Sequence, residues 1–120
     1  MIEVDQQPLV SVVISSYNHA PYIEASIESV LAQSYANLEL LVVDDGSSDD
    51  SVERIRTLQA KHGFDFVVQE NKGLAATLND CIARSHGSLI APFGSDDIMC
   101  PERIAIQVAY LQGKPEVGIC

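Results

Sequence analysis

Basic residues are scarce. Lys and Arg number 7 against 17 Asp and Glu, a formal net charge of −10 over 120 residues. A polyanionic backbone is held mainly by Lys and Arg, so nucleic acid is excluded as a partner. The same shortage means that any anionic ligand needs a cation or backbone N–H donors to offset repulsion. Cysteines are few as well. Cys81, Cys100 and Cys120 show no metal-type spacing and cannot all pair with one another, a pattern that fits a reducing compartment. No stretch approaches the roughly 20 apolar residues of a membrane span. The first seven residues are short and acidic, unlike a secretory signal. The expected location is the cytoplasm, with any membrane association at the inner face of the cell membrane and carried by the rest of a longer protein. Also missing are the familiar glycine-rich phosphate loops, G-x-G-x-x-G after the first strand and G-x-x-x-x-G-K-[ST]. There is no internal repeat, linker or low-complexity tract.

What is present is an alternation of apolar runs and amphipathic segments. Hydrophobic residues make up 47%, so the chain is globular, with enough length for one core. Residues 10–15 read as a strand, followed by a turn-rich loop and a helix over 21–33. Ile23, Ile27, Val30 and Leu31 recur there at helical spacing, and Pro21 suits a helix start. Residues 38–43 form a nearly continuous apolar run, as expected of a parallel strand covered on both faces. Asp50 with Glu53 resembles a capping box, and Gly63 marks the stop of the second helix. A strand over 64–69 precedes a helix opened by Asn71-Lys72-Gly73 and ending before Gly87. A strand over 89–93 leads to a helix from Pro101. The order β-α-β-α-β-α-β-α predicts an α/β fold: a mostly parallel sheet with helices on both faces. Residues 1–7 read as a tail and 8–120 as the domain. Residues 116–120 look like the start of a further strand, so the chain is expected to be a truncated part of a longer protein.

Polar, acidic and glycine residues cluster where the strands end. In open α/β sheets that is where ligands bind, at the point where strand order reverses. The loops in question carry Ser15-Ser16-Tyr17-Asn18, Asp44-Asp45-Gly46-Ser47, Glu70-Asn71-Lys72-Gly73 and Gly94-Ser95-Asp96-Asp97. Two adjacent carboxylates repel, and they are costly together unless a cation or donor groups satisfy them. A hard divalent ion with oxygen ligands is a natural partner and commonly bridges to phosphate. Two such pairs point to a site that handles a diphosphate through a metal. Plainer readings stand beside this one. Asp44-Asp45 is also a solvated turn, with Asp49-Asp50 capping a helix, and Asp96-Asp97 a turn leading into one. Tyr17 is also a half-buried aromatic and Lys72 a surface charge. His19, His62 and His86 lack ligand spacing and read as structural or surface residues. Cys81 fits a helix core face.

The segment Pro8-Leu9-Val10-Ser11-Val12-Val13-Ile14-Ser15-Ser16-Tyr17-Asn18 resembles the opening strand of family 2 glycosyltransferases. Ile27-Glu28-Ser29-Val30-Leu31-Ala32-Gln33-Ser34-Tyr35 and Leu38-Glu39-Leu40-Leu41-Val42-Val43-Asp44-Asp45-Gly46-Ser47-Ser48-Asp49 continue the likeness. So do Asn71-Lys72-Gly73, Asn79, and Gly87 ahead of Ser95-Asp96-Asp97, all in family order. The resemblance implies a Rossmann-like GT-A fold that binds a nucleotide-sugar, often a UDP-sugar, with Mg²⁺ or Mn²⁺. It implies that Ser15 and Tyr17 line the nucleotide pocket, with Tyr17 packed on the base. Asp45 would accept a hydrogen bond from the base, and Asp44 would shape that loop. Lys72, or the backbone around Gly73, would lie near the diphosphate. Asp96 would approach the sugar or ribose, and Asp97 would be the main metal ligand. The family often has a further acid where this chain has Gly94, so metal binding here rests on Asp96 and Asp97.

The implied reaction is sugar transfer with inversion, in polysaccharide biosynthesis or a related process. The acceptor would be a hydroxyl of a saccharide, a lipid-linked sugar or a protein. No catalytic residue is expected within this chain, because the general base of the family lies beyond Cys120. Glu102 reads instead as a first-turn helix acid. The chain would then be the donor-binding half, with homo-oligomers expected where apolar surface is left uncovered. Two alternatives belong to other classes: a non-catalytic nucleotide-binding or assembly module, and a receiver-type signalling domain. The receiver reading is disfavoured because no Asp ends the third strand at Val67-Val68-Gln69.

Overall fold

A computed structural model describes residues 8–112. The elements run β1 (Val10–Ser16), α1 (Ala20–Leu31), β2 (Leu38–Asp45), α2 (Ser51–His62), β3 (Asp65–Gln69), α3 (Leu74–Arg84), β4 (Leu89–Gly94) and α4 (Arg103–Gln112). The 4 strands lie in the order β3-β2-β1-β4, and every pairing is parallel.

Side-chain alternation decides which helix covers which face. Val10, Val12 and Ile14 of β1, with Leu40, Val42, Ala91 and Phe93, face one way. They pack under Ile23, Ile27 and Val30 of α1, Ile55 and Leu58 of α2, and Ile104 and Val108 of α4. Val13, Leu41 and Val43 face the other way and meet Cys81 and Leu78 of α3. Strand order explains this division. The chain steps from β1 to β2 to β3 in one direction and then returns past β1 to place β4. Crossovers of a single hand put α1 and α2 on one face and α3 on the other. The expected helices on both faces are therefore present, and Cys81 sits in the core as read. The strand order also separates this sheet from the receiver type, whose third strand lies beside the first in the order 2-1-3-4-5.

Several boundaries differ from the sequence reading, and two matter for the site. β2 runs on through Asp44 and Asp45, because Ser16 pairs with Asp44 and Gln69 with Asp45 in the ladders. The first acidic pair is thus the end of a strand rather than a loop. The capping box does not form: Asp50 stands at the N-cap of α2 without a side-chain cap bond. Asp49, one residue earlier, accepts from the N–H (3.0 Å) and hydroxyl (2.6 Å) of Ser51, while Asp50 pairs with Arg54 one turn on at 3.1 Å. Gly63 ends α2 as read, in the left-handed conformation at φ 79°. The strand expected over 116–120 lies outside the described residues.

At the sheet edge opposite the strand ends that carry the acidic pairs, the entry to β4 is fastened to β1. The Gly87 N–H donates to Ser11 Oγ at 2.9 Å, and that hydroxyl donates to Glu39 at 2.5 Å. A methyl group on Gly87 would stand 2.5 Å from Ser11 Oγ and 2.7 Å from Leu9 O and Ser11 N. Two of those atoms are backbone, at the start of β1 and just before it, and cannot step aside cheaply. Gly87→Ala is expected to cost about 1–3 kcal/mol, the usual range for forcing a methyl into a packed site. Urea unfolding measures it, and an unchanged midpoint would contradict the packing described here.

Candidate functional site

Strand order reverses between β1 and β4, so the crevice at their carboxyl ends is the switch point of this sheet. A cleft of about 470 Å³ opens there, within the range of small-ligand sites. The end of β1 contributes Ser15, Tyr17 and His19, and the end of β4 contributes Gly94, Ser95 and Asp96. Asp45 from β2 and Asn71, Gly73 and Leu74 from the start of α3 complete the lining.

The two acidic pairs at this edge have opposite environments. Asp44 and Asp45 are buried and turned to protein donors. Asp44 accepts from the Ser47 N–H at 2.8 Å and the Ser47 hydroxyl at 2.6 Å, which closes the turn after β2. Asp45 receives donors from the neighbouring loop on both oxygens. Gln69 Nε2 and the Lys72 N–H each lie 2.9 Å from Oδ1. The Gly73 N–H lies 3.0 Å and Asn71 Nδ2 3.3 Å from Oδ2. Burial alone would raise the Asp45 pKa. Hydrogen bonds from Gln69, Lys72, Gly73 and Thr77 outweigh it and hold the carboxyl below its ordinary value. The turn also requires its glycine. Gly46 has φ +82°, and a Cβ there would stand 2.7 Å from Asn71 N.

Asp96 and Asp97 are exposed and neither carboxylate meets a protein donor among the described residues. The turn is closed by the Asp97 N–H on Gly94 O at 3.3 Å. Its two carboxylates fold back over the bare Cα of Gly94. A Cβ built there would lie 3.0 Å from Asp97 Oδ2 and 3.2 Å from Asp96 Oδ1. Both carboxylates thus lie close to one point, without a protein donor among the described residues. Oxygen-only donors with open positions fit Mg²⁺ or Mn²⁺, which keep waters and take ligand phosphates. Among the described residues no group of three or more His, Cys, Asp or Glu side chains is arranged around an ion, so ligand oxygens would have to complete such a shell.

The other expected residues divide. Ser15 lines the cleft, and so does Tyr17, a residue 48% exposed. Gly73 lines it at the start of α3, with φ +93° and no side-chain cap on the helix. Lys72 joins the site through its backbone N–H on Asp45, but its ammonium pairs with Asp80 of α3. Asp44 acts from behind, through the turn. His19, read as structural or surface, lines the cleft with Nδ1 2.5 Å from Ser95 Oγ. Its place in the loop two residues after Tyr17 is the signal that would have found it. Leu74, the first residue of α3, lines the cleft as well. His62 and His86 are exposed as read.

A Rossmann-like parallel sheet with an acidic cleft at its switch point defines the class of protein. The chain matches the family model of Glycosyl transferase family 2 over residues 11–120 and belongs to that family. Among curated relatives, a putative glycosyltransferase, EpsE of Bacillus subtilis (strain 168), is 41% identical over 109 residues, covering 88% of this chain and 39% of that protein. Chondroitin synthase of Escherichia coli is 35% identical over 100 residues, covering 82% of this chain and 15% of its own length. The solved mannosyltransferase PcManGT of Pyrobaculum calidifontis, in complex with GDP-Man and Mn²⁺, superposes with a TM-score of 0.74 at 27% identity. The match covers 87% of this chain and 32% of that one. S. aureus TarS 1–349 in complex with UDP superposes with a TM-score of 0.77 at 23% identity, covering 87% and 32%, which shows the shared fold. These neighbours establish the GT-A fold, and the chain spans well under half the length of these relatives.

The depressed Asp45 carboxyl makes a testable statement about pH. A carboxyl with a folded pKa below its unfolded value adds stability that is fully present above the unfolded pKa, near 4. That stability is lost as pH falls through the folded value. Asp45→Asn sets an amide N–H₂ against backbone N–H donors and is expected to destabilise by about 1–3 kcal/mol at pH 7. The deficit should shrink progressively below about pH 4 as the native carboxyl protonates. Urea unfolding across pH measures both; a deficit that grows towards acid would contradict the assignment.

Proposed function

We propose that this chain binds the nucleoside-diphosphate-sugar donor of a metal-dependent, inverting glycosyl transfer. The observation that carries the reading is the open pair Asp96-Asp97 converging over Gly94, with Gly94 and Asp96 lining the same cleft as Tyr17 and Asp97 standing next to that lining. The Tyr17 ring offers a stacking face for a nucleobase, and a carboxylate pair without protein donors suits a divalent ion on a diphosphate. The net charge of −10 adds to the need for that ion. PcManGT, which shares the fold at 27% identity, carries a nucleotide-sugar and Mn²⁺ together, and this supports extending the pairing to the present chain.

In this reading Tyr17 and Ser15 hold the nucleoside side of the donor. Asp45 offers an acceptor to a base N–H, and the long contact from Asn71 at 3.3 Å is the one the base would replace. The diphosphate lies towards Gly73 and the uncapped start of α3, where free N–H groups favour anions. Of the two candidates there, the backbone suits the role better than Lys72, whose charge is paired with Asp80. Asp97 and Asp96 would hold Mg²⁺ or Mn²⁺, which supplies charge stabilisation for the departing diphosphate when bound. Inversion is a single displacement. An acceptor hydroxyl oxygen forms its bond to the anomeric carbon as the bond to the phosphate oxygen breaks, and the hydroxyl proton passes to a carboxylate base. The carboxylates that line the cleft are Asp45, engaged by four donors, and Asp96 in the cation turn. The base is assigned, as the family resemblance implies, to the acceptor-binding part of the longer protein.

Calorimetric titration with UDP, with and without Mn²⁺, tests this reading. Saturable binding should strengthen with Mn²⁺, and Asp97→Ala should remove the Mn²⁺-dependent part. Nucleotide binding indifferent to both the ion and the substitution would falsify the proposal. Tyr17→Ala is expected to weaken binding by about 1–3 kcal/mol, the usual worth of one base–aromatic stack. An unchanged Kd would remove Tyr17 from the nucleoside pocket.

A further inference from the structure

Besides the His19 contact to Ser95, the turn that presents Asp96 and Asp97 is held from behind by α1 and the residues just after it. Ser26, Ser29 and Gln33 follow one another at spacings of three and four along α1 and into the residues just after it. They form a polar stripe on one side of the helix. Each reaches the backbone of the connection between β4 and α4. Ser26 Oγ donates to Gly94 O at 2.9 Å. Ser29 Oγ accepts from the Met99 N–H at 2.8 Å and donates to Ser26 O at 2.7 Å. Gln33 Nε2 donates to Cys100 O at 2.6 Å, and its Oε1 accepts from the Ile104 N–H at 3.0 Å, in the first turn of α4. These contacts grip the chain on both sides of Asp96-Asp97, and none of them touches either carboxylate.

Packing alone does not require such a stripe. Ile23, Ile27 and Val30 already fasten α1 to the sheet and to the core it shares with α4. Ser26 is fully buried, a position where a hydroxyl is costly unless bonded. What the stripe adds is direction. Two carboxylates on a free turn would swing apart under their own repulsion. A turn pinned at Gly94, Met99, Cys100 and Ile104 keeps them convergent before any ion arrives, so less ordering remains to be done on binding.

We propose that Ser26, Ser29 and Gln33 are positioning residues for the cation turn: they aim Asp96 and Asp97 and so set the affinity for a divalent ion without contacting the ligand. This rests on the reading of that turn as the cation site given under Proposed function. The test uses the full chain and reads UDP affinity with and without Mn²⁺ by calorimetry, for Gln33→Met and Ser29→Ala, with Ser29→Thr to restore the hydroxyl. The gain in affinity brought by Mn²⁺ should fall about tenfold in the first two, the usual effect of removing a group that orients metal ligands. Affinity for UDP without metal should be unchanged, and Ser29→Thr should recover the gain. A full Mn²⁺ gain in both Gln33→Met and Ser29→Ala overturns the proposal. Parallel loss of metal-free UDP binding overturns it too, since the stripe would then merely hold the fold. Absence of any Mn²⁺ gain in the unsubstituted chain is a separate result that overturns the cation reading itself, and this inference with it.

Discussion

Four carboxylates at the mouth of one small parallel sheet are an electrostatic burden, and the way it is relieved shapes the rest of the structure. Asp44 and Asp45 are buried and matched to protein donors. Asp96 and Asp97 are exposed, convergent and unmatched among the described residues. The first pair therefore builds the site, and the second is available to a ligand. A fold that can place donors so closely around Asp45 could do the same at Asp96. In the proposed reading, that difference leaves Asp96 and Asp97 for a divalent cation brought with the ligand.

The buried pair does more than neutralise itself. Asp45 ties the end of β2 to the loop after β3, and Gly46 lets those two backbones approach. Asn18, at φ 55°, accepts from the Ser48 N–H at 2.8 Å and donates its own N–H to Ser47 Oγ at 2.9 Å, so the first loop is tied to the second. Asp49 accepts from the Ala20 N–H at 3.1 Å and thus bridges the starts of α1 and α2. His19 joins the first loop to the fourth through Ser95. Loops that would otherwise move independently become a single frame around the cleft, the kind of support that a precise binding site needs.

The architecture was legible in the sequence because its signals are local. Apolar runs of strand length, helical spacing in Ile23, Ile27 and Val30, and punctuation at Pro21 and Gly63 need no knowledge of the rest of the chain. Much of the candidate site was legible for a related reason: in a parallel α/β sheet ligand-facing residues gather at strand ends, and strand ends are marked by composition. What could not be read was the partner of each polar side chain. Nothing local says that Asp49 rather than Asp50 bonds to the N–H of Ser51. His19 and Ser95 are 76 residues apart, and Gln33 meets Ile104 across 71. That the Lys72 ammonium pairs with Asp80 of α3 could not be read either. Such contacts depend on how elements pack, which periodicity does not encode.

The division of labour between the two acidic pairs can be observed directly. A crystal of the chain grown or soaked with UDP and Mn²⁺ locates the ion by its anomalous scattering. The account predicts one ion within coordination distance of Asp97, shared with Asp96 and a diphosphate oxygen, while Asp45 keeps its donors from Lys72 and Gly73. An ion seated on Asp44 or Asp45, or nucleotide bound in the cleft with no ion at Asp97, would contradict it.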